Sequence, residues 1–175
     1  MSRLLIVDDD PLNRALLEEE LGDSGYRTFL AEDGDTALQI LEEKNIDLVL
    51  LDIMMPRMSG LDVLAKIRES HSVADLPVIM VTAKHDSEDI VQSLNQGAND
   101  YIVKPIDFGV LQARIRTHLT MKSLSQEKDH FISIASHDLK NSLTTIIGAA
   151  RVIGAMLPSN DTSLETVRGM VANIH

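Results

Sequence analysis

The sequence predicts an α/β fold in which a doubly wound parallel sheet continues into a long helix and a helical hairpin. Short apolar runs alternate with amphipathic stretches over residues 3–107, and three of the runs, LLIV, LVLL and VIMV, are continuously apolar. Such runs are typical of strands buried on both faces. From Asp107 onward no further strand pattern occurs. Strands that alternate with helices favour a parallel sheet with right-handed crossovers.

Five strands and four intervening helices follow from these patterns. The predicted strands are Leu4–Val7, Tyr26–Leu30, Asp47–Leu51, Pro77–Val81 and Asp100–Val103. The helices between them are marked by apolar residues that share one helical face. These residues are Leu12, Leu16, Leu17 and Leu21 in the first helix, Ala37, Leu38 and Leu41 in the second, Leu61, Leu64 and Ile67 in the third, and Ile90, Val91 and Leu94 in the fourth.

The last third of the chain has a purely helical pattern. Apolar residues from Phe131 to Leu157 recur every three or four positions, which places them on one face of a helix. Because no proline occurs between Pro105 and Pro158, one helix could run from about Gly109 to Leu157. The pattern of residues 162–175 predicts the start of a second helix. We therefore predict a domain at residues 1–120 and a helical hairpin at 121–175 whose second helix is truncated.

Composition narrows the possible classes of function. The chain has 175 residues, a formal net charge of −11 and no cysteine, which excludes disulfides and thiolate chemistry. The excess of acidic residues lies within residues 1–121, and a net acidic domain is unfavourable for direct binding to nucleic acid. The longest apolar stretch is too short to span a bilayer. We expect a cytoplasmic protein with neither nucleic acid nor a membrane as its partner.

Polar residues follow the predicted strands at the edge where parallel sheets place their sites. Asp8 and Asp9 follow the first strand, Asp52 the third, Thr82 the fourth and Lys104 the fifth. Converging carboxylates repel one another or bind a cation, and Mg²⁺ prefers such oxygen ligands. A hydroxyl and an ammonium nearby suit charge stabilisation in phosphoryl transfer. The nucleophile would then be Asp52, on the central strand.

These segments resemble the receiver domain of two-component response regulators. The resemblance covers about residues 1–120 and is carried by LLIVDDDPLNR, LVLLDIMMPRMSGLDVL, VIMVTA and GANDYIVKPID. It implies a flavodoxin-like sheet with strand order 2-1-3-4-5 and a phosphoacceptor at Asp52. It also implies that Asp8, Asp9, Asp52 and the backbone carbonyl of Met54 bind Mg²⁺.

The same resemblance assigns roles to residues at the ends of the fourth and fifth strands. Thr82 matches the switch hydroxyl of the family, and Tyr101 matches its switch aromatic residue. Lys104 matches the lysine that binds the phosphoryl group, and Pro105 matches the family's cis proline.

A second motif lies on the predicted long helix. A helical histidine followed by an acid could serve as a nucleophile with an adjacent base, and His137-Asp138 fits this description. The surrounding FISIASHDLKNSLTTIIGAARVI resembles the phosphoacceptor box of histidine kinase dimerisation domains. That resemblance, over about residues 122–175, implies that His137 is phosphorylated, that Asp138 is its acid/base partner and that Asn141 acts in phosphatase activity.

Three functions are consistent with these motifs. In the first, the chain is part of a sensor histidine kinase, an enzyme, whose receiver takes phosphate on Asp52 from a phosphohistidine donor. The hairpin then forms a homodimer, and a separate ATP-binding domain is required for autophosphorylation. In the second, the chain is a non-enzymatic response regulator whose helical tail only dimerises or docks a partner. The third is a phosphatase with Asp8 or Asp9 as nucleophile, which leaves the Lys104-Pro105 pair and the tail unexplained.

Overall fold

The computed structural model describes residues 1–82 and 87–156, together with the side chains of all of these except 87–89 and 153–156. The chain divides into two compact units, Met1–Ser125 and Gln126–His175. The predicted turn at residues 158–161 and the predicted second helix at 162–175 lie outside the described residues. The division into a domain at 1–120 and a hairpin at 121–175 stays a prediction.

The described elements alternate strictly between strand and helix. The strands are β1 Arg3–Val7, β2 Arg27–Ala31, β3 Leu48–Asp52, β4 Val78–Thr82 and β5 Asp100–Val103. The helices are α1 Pro11–Asp23, α2 Gly34–Glu43, α3 Gly60–Ser70, α4 Ser87–Asn95 and α5 Phe108–Met156. Each predicted strand is present within one or two residues of its predicted bounds.

The five strands form one parallel sheet in the order β2-β1-β3-β4-β5, and the predicted fold class is confirmed. The register pairs Val7 of β1 with Leu51 of β3, and Asp52 of β3 with Val81 of β4. Thr82 of β4 pairs with Val103 of β5. The carboxyl ends of β1, β3, β4 and β5 therefore lie next to one another at one edge.

Both faces of the sheet are buried, as the continuously apolar runs predicted. Alternate residues of each central strand enter separate clusters, because successive side chains point to opposite faces. One cluster includes Leu5, Val7, Val49, Leu51, Val78 and Met80 with residues of α2 and α3. The other includes Leu4, Ile6, Leu48, Leu50, Ile79 and Val81 with residues of α1 and α5.

The helical pattern of α1 predicted its position but overestimated its buried face. Leu17 and Leu21 are buried, whereas Leu12 is 77% exposed and Leu16 is about half exposed. The reason is geometric: Leu12 and Leu16 form one row on the helix surface and Leu17 and Leu21 another, and only the second row packs against the sheet. In the same way Val91 and Leu94 of α4 remain exposed.

Helix α5 begins within a residue of the predicted start and continues to Met156, the last residue that the structure describes. In the unit that begins at Gln126, its apolar residues are exposed to solvent, namely Phe131, Ile132, Ile134, Leu139, Leu143, Ile146 and Val152. Over the part of the chain that the structure describes, no helix combines the length and apolarity that a membrane span requires.

Candidate functional site

The carboxyl edge of the sheet brings together two buried carboxylates and one ammonium group. Asp8 follows β1 and is 2% exposed, while Asp52 ends β3 and is 4% exposed. Lys104 follows β5, and its Nζ donates to Asp8 Oδ2 at 2.9 Å and also to Asp52 Oδ2. Fully buried acids are rare without a partner, so Lys104 provides the charge that this edge requires.

The environment of Asp52 favours its protonated form, and that of Lys104 favours its charged form. Burial raises the pKa of the Asp52 carboxyl, and the nearby charge of Asp8 adds to this effect. Hydrogen bonds from Lys104 and from the backbone N–H of Met54, at 3.1 Å, act in the opposite direction on that pKa. Burial alone would lower the pKa of Lys104, but its hydrogen bonds to Asp52 and Asp8 raise it.

Asp8 is held by donors from three directions. The backbone N–H of Asp10 donates to Oδ1 at 2.9 Å, and Lys104 donates to Oδ2. The side-chain amide of Asn13 lies within 3.3 Å of both oxygens. The guanidinium of Arg14 donates to the backbone carbonyl of Asp8. These contacts restrain the plane of the Asp8 carboxylate before any ion binds.

Asp9 completes a group of three carboxylates that fits a divalent cation. One oxygen each from Asp8, Asp9 and Asp52 lies within 4.8 Å of the others. At the ligand distances of an octahedral Mg²⁺, adjacent oxygens are about 3 Å apart and opposite ones about 4 Å, so side-chain movements of about 1–2 Å would close this set. Asp9 is exposed, which leaves room for water ligands. Asp10 is instead the N-cap of α1 and accepts from Leu12 N at 2.9 Å.

The structure brings Thr82 to the same edge, whereas Tyr101 lies within β5, three residues before Lys104. Thr82 is fully buried at the end of β4, and its carbonyl accepts from Lys104 N at 2.8 Å. Tyr101 lies on β5, partly buried, with the guanidinium of Arg114 5.8 Å from its ring centroid. The peptide bond between Lys104 and Pro105 is cis, as the resemblance implied.

The loop from β3 to α3 has a constrained shape. Arg57 has a φ of 67°, in the left-handed region that residues other than glycine seldom adopt. Its guanidinium pairs with Asp33, the N-cap of α2. The loop ends in a capping box in which Ser59 and Asp62 bond reciprocally at the start of α3. The ion pair of Arg57 and the capping box at Ser59 therefore hold the loop that follows Asp52 and the first turn of α3.

Sequence reasoning missed Asn13 and Arg14, the two α1 residues that hold Asp8. Their spacing of five and six residues from Asp8 matches no periodic pattern within one element. The contact exists only because α1 begins close above the end of β1. A polar pair in the first turn of a helix that follows an acidic strand end is the signal that could have identified them.

The second motif forms a small polar group on the exposed surface of α5, within the unit that begins at Gln126. His137 Nδ1 lies 3.3 Å from Asn141 Nδ2 and 3.5 Å from Asp138 Oδ1. The side chains of His137 and Asp138 are each more than 70% exposed. The three predicted residues are therefore neighbours: Asn141 lies one helical turn after His137, and Asp138 is the next residue in the chain.

Comparison with known proteins shows a match to the family described as "Response regulator receiver domain" over residues 4–116. The transcriptional regulatory protein CpxR of Escherichia coli is 41% identical over 130 residues, which cover 74% of this chain and 54% of CpxR. The transcriptional regulatory protein DltR of Streptococcus agalactiae is 43% identical over 122 residues, with coverages of 70% and 54%. The chain thus spans about half the length of the curated relatives it matches.

Solved structures agree with the sequence matches. The crystal structure of a CheY-like response regulator receiver domain protein from Methanospirillum hungatei superposes with a TM-score of 0.67 at 32% identity. The alignment covers 71% of this chain and 98% of that one.

These comparisons correct one prediction. The relatives are response regulators with receiver domains and not sensor histidine kinases. The assignment of the chain to a sensor histidine kinase, and with it to an enzyme, is therefore wrong. It had depended on the helical motif around His137, which lies outside the residues matched by the family.

Proposed function

Because the chain belongs to the response regulator receiver domain family, we propose that it accepts a phosphoryl group on Asp52 from the phosphohistidine of a partner histidine kinase. The observation that best supports this function is the junction of Asp52, Asp8 and Lys104, in which one ammonium joins two buried carboxylates. Such a junction has little value for stability alone, since a buried ion pair rarely repays its desolvation. It is suited to receiving a dianionic group.

The chain's own residues then divide the work of phosphoryl transfer. An oxygen of Asp52 attacks the phosphorus in line, the new O–P bond forms as the donor's P–N bond breaks, and the imidazole leaves as the electron pair returns to nitrogen. Lys104 is close enough to Asp52 to contact the incoming phosphoryl oxygens. Asp8, Asp9, Asp52 and the carbonyl of Met54 would hold Mg²⁺, which when bound neutralises charge on the phosphoryl group.

Thr82 and Tyr101 would report the phosphorylated state to the rest of the domain. Thr82 is buried at the end of the neighbouring strand, where its hydroxyl is suited to contact a phosphoryl oxygen. Tyr101 lies on the neighbouring strand β5, partly buried and beside the guanidinium of Arg114. We propose that this pair switches the surface formed around β5.

For the helical segment we propose a role in homodimerisation. Its exposed apolar residues, which include Phe131, Leu139, Leu143 and Ile146, follow helical spacing. A helix with such a stripe is stabilised when the stripe is buried against a partner. Sedimentation equilibrium of the chain should give a dimer, and Leu139→Glu with Leu143→Glu should give a monomer. A monomeric parent chain would contradict this role.

A second candidate function is phosphoryl exchange at His137. The observation that favours it is the neighbouring placement of Asp138 and Asn141 around an exposed imidazole. The chain would here be a phosphoryl carrier, with a partner as the source of phosphate. A phosphoramidate survives base and is lost in acid, so base-stable label that disappears in His137→Gln supports this function. The absence of any such label contradicts it.

A small acyl phosphate donor tests the main proposal without a partner protein. The chain is incubated with acetyl phosphate with Mg²⁺ or with EDTA, and intact mass counts the phosphoryl groups bound. We expect one base-labile group per chain that requires Mg²⁺ and is absent from Asp52→Asn. Asp23→Asn, which changes an exposed acid at the other end of α1, should be labelled like the parent chain. Equal labelling of Asp52→Asn would contradict the proposal.

A further inference from the structure

Asn13 takes no part in the phosphoryl transfer proposed above, yet its side chain contacts the most buried acid of the site. Its Nδ2 lies 3.3 Å from Asp8 Oδ1 and 3.2 Å from Asp8 Oδ2. The amide therefore donates to both oxygens of the Asp8 carboxylate at nearly equal distances. A donor in this position resists rotation of the carboxylate about its last torsion, which is otherwise a soft one.

The position of Asn13 within α1 shows that this contact is not ordinary helix capping. Asn13 is the third residue of the helix, the position from which a side chain commonly reaches back to the N-cap. In α3 the equivalent residue, Asp62, does so and accepts from Ser59 N at 3.1 Å. In α1 the backbone N–H of the N-cap Asp10 donates to Asp8 Oδ1 at 2.9 Å, and the amide of Asn13 donates to the same carboxylate instead of reaching back to the N-cap.

The chemistry of an amide suits this position better than that of the other polar side chains. An aspartate here would add a fourth carboxylate beside Asp8 and could not donate. A lysine would add a second ammonium and compete with a bound cation for the same oxygens. A neutral donor orients the ligand and leaves its charge unchanged, which is the usual arrangement behind a metal-binding side chain. Arg14 restrains the backbone carbonyl of the same residue.

We propose that Asn13 is a positioning residue of the divalent-cation site and that it favours Mg²⁺ over Ca²⁺. The inference rests on the proposed function, because it takes Asp8 as a ligand of the metal. Mg²⁺ requires near-octahedral ligands at about 2.0–2.1 Å, whereas Ca²⁺ accepts variable geometry at about 2.3–2.6 Å. Because Asn13 holds both oxygens of Asp8, the carboxylate presents its lone pair to a bound ion in one fixed direction. Loss of that restraint weakens binding of the smaller ion more than binding of the larger one.

Calorimetric titration of the full chain with MgCl₂ and with CaCl₂ tests this inference. The variants are Asn13→Ala, Asn13→Leu, which keeps the side-chain volume, and Asn45→Ala. The last is a control that changes an exposed asparagine before the amino end of β3, opposite the edge that carries the site. We expect both Asn13 variants to bind Mg²⁺ about tenfold more weakly, within the range seen for residues that support metal ligands. Ca²⁺ affinity should fall by less than about threefold.

The outcomes separate this inference from the function on which it rests. Unchanged Mg²⁺ affinity in both Asn13 variants would overturn the inference while the site itself stands. Equal losses of Mg²⁺ and Ca²⁺ affinity would overturn the proposed selectivity. A parent chain that binds no Mg²⁺ would overturn the proposed metal site and this inference together. If one Asn13 variant does not fold, the other gives the result, since they differ in volume and not in the missing donor.

Discussion

A Cβ atom at position 60 would lie 2.1 Å from the backbone carbonyl oxygen of Asp52. Gly60 begins α3, and its N–H donates to the carbonyl of Ile53 at 2.9 Å. The start of this helix is therefore packed directly against the backbone of the proposed phosphoacceptor. Only glycine allows so close an approach, because no other residue lacks the Cβ.

Gly60→Ala should destabilise the receiver fold. The added methyl group meets backbone, which cannot rotate away, so β3 and α3 must separate. We expect a loss of about 1–3 kcal/mol in the free energy of unfolding, the usual cost of overpacking. Urea denaturation measures it. Gly22→Ala is the control: Gly22 lies in the last turn of α1, nothing lies within 4 Å of its Cβ position, and stability should be unchanged or slightly higher. Equal stability of the two variants would contradict this packing.

Asp52→Asn should raise the Tm by a few degrees at pH 7–8 when no divalent cation is present. The pKa of Asp52 is raised in the folded state because burial disfavours its charge. Ionised Asp52 therefore opposes folding above that raised pKa, and asparagine removes the penalty. Below the ordinary pKa of aspartate the carboxyl is neutral in both states, so the two proteins should converge. Thermal unfolding across pH 4–8 measures the gap, and a gap that widens towards acid would contradict the account.

Lys104→Met should destabilise the protein at neutral pH. It leaves Asp8 and Asp52 buried without their cation, and breaking a buried pair typically costs about 3–5 kcal/mol. Because the Lys104 side chain is 29% exposed, we expect about 2–4 kcal/mol here. The loss should shrink at acid pH and in the double variant with Asp52→Asn. Lys66→Met, at an exposed position of α3, is the control and should be near neutral. A loss independent of pH would indicate simple packing.

Mg²⁺ should raise the Tm of the parent chain in proportion to the logarithm of its concentration. A ligand at a hundred times its Kd adds about 2.7 kcal/mol to stability. Asp9→Asn removes one exposed ligand without disturbing the core, so it should keep its Tm without metal and lose most of the Mg²⁺ effect. Differential scanning fluorimetry with MgCl₂ measures both. An equal response to Mg²⁺ in Asp9→Asn would exclude Asp9 from the site.

The sequence was sufficient to predict the fold and the convergence of Asp8, Asp9 and Asp52. Doubly buried strands leave continuous apolar runs, and the residue that follows a parallel strand must emerge at the shared edge. The residues at the carboxyl ends of four predicted strands were therefore enough to locate the site. No contact between helices was needed for this step.

The supporting contacts of the site were not predictable in the same way. The hold of Asn13 on Asp8 depends on how closely α1 begins above β1, which is a tertiary property. The exposure of Leu12 and Leu16 is also tertiary, since an apolar residue in a helical pattern is buried only where another element covers it. The error about a sensor kinase had another origin. The resemblance to a kinase rests on about a dozen helical positions around His137, and these lie outside the residues that the receiver family matches.

Transfer from a phosphohistidine donor protein tests the central claim most directly. A histidine-phosphorylated donor is mixed with the parent chain, Asp52→Asn and His137→Gln in the presence of Mg²⁺, and base-labile phosphoryl groups are counted by intact mass. The account predicts one such group on the parent chain and on His137→Gln, and none on Asp52→Asn. A base-labile phosphoryl group on Asp52→Asn at the level of the parent chain would contradict it.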